Sequence, residues 1–84
     1  MLRVSYFATE VDRTIDIDAD SFLPFEFGAV RFYKDDELVA VVFGVQYVVK
    51  TENPSVDFAE FVKGEPRFYG CRMPLVKEAA RVEE

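Results

Sequence analysis

Asp16, Asp18 and Asp20 stand at alternate positions and are the densest run of chemistry-bearing side chains in this chain of 84 residues. On an extended strand, rising about 3.3–3.4 Å per residue, they form a row about 6.7 Å apart. Such a row can steer and pair with Lys or Arg on a basic partner. Its pitch also resembles a line of phosphates, since B-DNA repeats at about 3.4 Å along each strand. Calcium is a weaker match. Asp-x-Asp-x-Asp fits the first three ligand positions of an EF-hand loop. However, Ser21 stands where that loop needs glycine, and Phe27 where it needs a bidentate glutamate. Carboxylate acid–base chemistry needs a cleft to enclose the pair, and a small sheet with one helix offers little depth.

The residue inventory removes most other chemistry. There is no histidine, so Ser-His-Asp and Cys-His catalysis lack their imidazole base. Cys71 is the single cysteine, so thiolate zinc sites and an internal disulfide are excluded. A lone thiol suits a reducing, cytoplasmic setting. No P-loop or dinucleotide-binding glycine pattern occurs. The expectation is a non-enzymatic protein that needs no cofactor or metal.

Charge sharpens the choice of partner. The net charge is −6, and residues 9–27 alone carry −5: Glu10, Asp12, Asp16, Asp18, Asp20 and Glu26 against Arg13. Direct nucleic-acid binding is disfavoured, because phosphates need a basic footprint. A basic protein surface is the favoured partner. Asp16, Asp18 and Asp20, supported by Asp12 and Glu10, are the expected binding residues. An inhibitor that mimics nucleic acid in a basic groove is one form of this reading. Small phage-encoded inhibitors, anti-CRISPR proteins among them, are similar in size and charge, although no motif ties the chain to such a family.

The elements that must position these residues are mostly strands. Leu2, Val4, Tyr6 and Ala8 alternate along a first strand. Ile15, Ile17 and Ala19 alternate with Thr14, Asp16, Asp18 and Asp20 along residues 13–20, predicting a half-buried strand with its acids in solvent. Pro24 turns residues 21–27 into a loop folding Phe22, Phe25 and Phe27 over the core. A strand at 28–34, a turn at Asp35-Asp36 and a long strand at 37–50 form a hairpin. Apolar residues on both faces of the long strand suit a covered central strand, with a bend or bulge at Gly44. Asn53-Pro54-Ser55 and Gly64 read as the start and stop of a helix whose apolar stripe is Phe58, Phe61 and Val62. Residues 67–72 form a last strand. Its arginines and aromatics are too few for a nucleic-acid platform. Leu75, Ala79 and Val82 mark a short helix or tail.

These elements predict one α+β domain over 1–84: an antiparallel sheet of four or five strands with one short helix on a face and a frayed tail from about residue 75. No internal repeat, signal peptide or membrane-length apolar run is legible. One helix can cover only one sheet face. Phe43, Val45, Tyr47 and Val49 on one side, or Leu38, Ala40 and Val42 on the other, could therefore bury themselves in a homodimer. A homo-oligomeric structural protein is accordingly the second functional reading.

Overall fold

The computed structural model describes residues 1–25 and 28–70. Eight strands follow in chain order: β1 (Leu2–Ala8), β2 (Val11–Ile17), β3 (Ser21–Pro24), β4 (Val30–Lys34), β5 (Glu37–Val42), β6 (Val45–Lys50), β7 (Asp57–Ala59) and β8 (Arg67–Tyr69). They build two sheets, ordered β6-β1-β2-β7 and β3-β4-β5-β8. Most pairings are antiparallel, while β7 joins β2 and β8 joins β5 in parallel.

Alternation explains why these sheets stack. Leu2, Val4, Tyr6 and Ala8 of β1 and Ile15 and Ile17 of β2 are buried on one face. Val30, Phe32, Val39, Ala40 and Val42 of β4 and β5 join them in a single apolar core. Each sheet thus covers the other's apolar face, as in a sandwich. The rings of Tyr6 and Tyr69 meet across this core, 6.4 Å apart.

The two sheets are built alike. Each centres on a hairpin closed by two residues of positive φ, Thr9-Glu10 (54° and 65°) and Asp35-Asp36 (52° and 67°). Such left-handed pairs match the twist of tight hairpins. After its hairpin, the chain crosses to the other sheet and pairs at that sheet's edge: β3 beside β4, then β6 beside β1. A three-residue strand then docks in parallel on each hairpin's second strand. Even the closing bonds correspond, Asp18 N–H to Ala59 O and Phe43 N–H to Tyr69 O. The topology therefore has an approximate two-fold repeat that is invisible in the residues, because it lies in backbone pairing.

The α+β expectation is overturned. Among the described residues no helix packs on either sheet, and the second layer is another sheet. Residues 53–64 form no helix. Asp57, Phe58 and Ala59 pair with Ile15, Asp16 and Ile17, which satisfies the open edge of β2. Gly64, read as a helix stop, instead adopts φ +89° in a turn closed by the Val62–Glu65 bridge. The long strand at 37–50 is also two strands. Gly44 (φ +72°) bends the chain from one sheet to the other, and a Cβ there would lie 2.7 Å from Phe7 O. The tail expected from residue 75, with Leu75, Ala79 and Val82, lies outside the described residues, as do Glu26, Phe27 and Cys71. Among the described residues no helix is long and apolar enough to cross a membrane.

Candidate functional site

The predicted acidic row does not run straight. β2 ends at Ile17, and the chain then turns towards the other sheet, with Ala19 N–H bonded to Ile17 O and Asp20 N–H to Tyr33 O. The three aspartates therefore occupy three settings. Asp16 does point away from Ile15 and Ile17, but it is fully buried rather than solvated. Arg3, opposite it on β1, donates to both its carboxylate oxygens, at 2.8 and 3.1 Å. The same guanidinium donates to Asn53 O and Ser55 Oγ, pinning the β6–β7 connection over this face. The bond to Asp16 raises the Arg3 pKa, which holds the guanidinium in its charged form. Asp16 is thus a structural ion-pair member and is unavailable to a partner.

Asp18 receives a 2.7 Å bond from Lys34 Nζ, and both side chains remain partly exposed. Asp20 lies in solvent and accepts the backbone N–H of Asp35 at 3.2 Å. That bond brings Asp18 and Asp20 beside the β4–β5 turn, where Asp35, Asp36 and Glu37 are also exposed. Asp18, Asp35 and Asp20 together raise the Lys34 pKa, chiefly through the Asp18 bond. Asp18, Asp20 and Asp35 thus act on one ammonium, with Asp36 and Glu37 exposed on the same turn. The sequence does not point to Asp35, Asp36 and Glu37 as site residues, because Asp35-Asp36 reads as a turn and Glu37 as the start of the next strand, all distant in the chain from Asp18 and Asp20. Glu10 and Asp12 lie elsewhere, at the β1–β2 end, where Asp12 accepts a bond from Gln46. No cluster suited to a metal occurs among the described residues.

A groove adjoins this corner. Its volume is about 340 Å³, and Leu2, Asp20, Ser21, Phe22, Val48, Val49 and Lys50 line it. It runs between β3 and β6, each the outermost strand of its sheet among the described residues. Phe22 was expected to pack in the core. It does touch Phe32, with ring centres 6.0 Å apart, yet it stays 44% exposed on the groove wall. Phe25 is also exposed, under the Arg31 guanidinium at 3.9 Å.

The far side of the first sheet is mixed. Phe7, Tyr47, Val49 and Phe58 are exposed there, around the Arg3–Asp16 pair. On the other sheet, β8 is the expected last strand, with Phe68 exposed and Tyr69 half-buried against Tyr6. Burial raises the Tyr69 pKa above the ordinary 10.0.

No family model, curated protein or solved structure matches this chain.

Proposed function

We propose that this protein is a non-enzymatic interaction module that presents an acidic corner to a basic partner protein. The observation that carries this reading is the bond from Asp35 N–H to Asp20, which sets Asp18, Asp20 and Asp35 about Lys34, beside the exposed Asp36 and Glu37 of the same turn. Like charges held together raise the local potential, which speeds and orients encounter with Lys and Arg. The partner face is therefore the corner, while Asp16, paired with Arg3, serves the fold. An inhibitor occupying the basic groove of a nucleic-acid-binding protein is the narrower form of this reading, and a cytoplasmic setting suits it.

The test compares wild type with the triple variant D20N/D35N/D36N. Its new side-chain amide at position 20 keeps an oxygen that can accept the backbone N–H of residue 35. A partner should be retained from a native lysate by wild type, lost as salt rises, and retained poorly by the variant at low salt. Equal retention by both forms would refute the corner. Competition of the captured partner with duplex DNA separates a nucleic-acid mimic from other basic-surface ligands.

A homo-oligomer is the second reading, favoured by exposed Phe7, Tyr47, Val49 and Phe58 on one sheet face. Light scattering decides it: a concentration-dependent dimer that persists at high salt supports it, and a monomer throughout excludes it.

A further inference from the structure

The groove between β3 and β6 has a property that its apolar lining alone does not convey. Antiparallel strands alternate between residues whose backbone groups face the neighbour and residues whose groups face away. Thr51 N–H bonds Met1 O, so the register Leu2↔Lys50 and Val4↔Val48 leaves the N–H and C=O of Lys50 and Val48 facing away from β1. On β3, Phe25 N–H bonds Ala29 O, and the register Phe22↔Phe32 and Pro24↔Val30 turns the backbone of Phe22 and Pro24 outward. Pro24 thus sits where its missing N–H forfeits no ladder bond. Of the residues with outward-facing groups, Val48, Lys50 and Phe22 line the groove. An edge of this kind is a template for another strand.

We propose that the groove binds an extended segment of a partner protein as an added strand along β6, with apolar side chains at alternate positions and Lys or Arg at the end that meets Asp20. Main-chain bonds to Val48 and Lys50 supply affinity, and the apolar wall of Leu2 and Phe22 selects alternate side chains. The charge follows from the geometry. Asp20 lines the groove and also holds the Asp35 turn, so a segment leaving the groove there enters the acidic corner. This inference rests on the basic-partner reading and gives it a binding mode.

The experiment selects binders from a displayed library of random short peptides on the full chain, then measures the winners by fluorescence anisotropy. The selected peptides should alternate apolar residues and carry Lys or Arg at one end. K50P removes one outward donor while leaving the β1 ladder intact, and should weaken binding about tenfold, as expected for one lost hydrogen bond. K50A, which keeps the N–H, should bind within about threefold of wild type. Ser21→Tyr, which fills the groove without removing core, should abolish binding, and circular dichroism confirms that each variant is folded. Failure to select any peptide, or binders indifferent to K50P and Ser21→Tyr, would overturn strand addition. So would a dimer of wild type that Ser21→Tyr dissolves, since the occupant would then be a second copy. Groove-dependent binders that lack basic residues and ignore D35N/D36N would uphold the added strand and overturn the acidic corner.

Discussion

Arg3 and Asp16 are the residue pair on which this fold depends most. A carboxylate removed from water costs several kcal/mol unless it is paired and hydrogen-bonded. Asp16 is fully buried, and Arg3 is its one salt-bridge partner among the described residues. Arg3→Met should therefore destabilise the protein clearly, because the buried Asp16 carboxylate loses its partner. Urea denaturation measures this. The double variant Arg3→Met/Asp16→Leu should recover much of the loss, because the stranded charge is gone. Lys34–Asp18 is different: both groups are solvated, so removing either should change stability little. Tyr69 predicts the alkaline limb. Its folded pKa is raised by burial above the unfolded value near 10.0. The protonated phenol's contribution is thus fully present below pH 10 and is lost as pH rises through the folded value. Tyr69→Phe should flatten the fall in stability above pH 10, as read by denaturation across that range.

Among the elements, bends and edges decide more than propensity does. The run from Leu38 to Val49 is apolar and β-branched throughout, which argues for strand but says nothing of which sheet receives it. Gly44 makes the division, because only a residue without Cβ can take φ +72° so close to Phe7 O. Gly44→Ala should cost about 1–3 kcal/mol through the strained backbone and the clash, measurable as a lowered thermal midpoint. The failed helix at 53–64 has a related cause. Asn53-Pro54-Ser55 is a real start signal locally, but Val56, Phe58, Phe61 and Val62 are indifferent helix formers. Pairing with β2 supplies backbone bonds that an isolated helical turn cannot match in so short a segment. The hairpin at Asp35-Asp36 was legible from its turn residues. The one at Thr9-Glu10 was not, because neither residue is a typical left-handed turn former.

For the molecule entire, the approximate two-fold repeat places β3 and β6 as equivalent edges bordering one groove, and the crossover at Asp18–Asp20 brings the acidic corner to its mouth. Charge and groove therefore share Asp20, and binding should combine a salt-sensitive part with a salt-insensitive one. The affinity of a captured partner should fall with ionic strength for wild type, and fall less steeply for D20N/D35N/D36N. Isothermal titration calorimetry at several salt concentrations reads both slopes, and identical slopes would count against the corner.

Local pattern was enough to place most of the strands, the inward faces of Leu2–Ala8 and of Ile15 and Ile17, the hairpin at Asp35-Asp36 and the concentration of acid, because alternation and turn chemistry act between near neighbours. Folding in three dimensions decided that the second layer is a sheet, that Asp16 is buried against Arg3, and that Asp20 joins Asp35 and Asp36. Those outcomes depend on pairings between residues far apart in the chain, and local periodicity carries no information about which distant partner satisfies an edge or a charge.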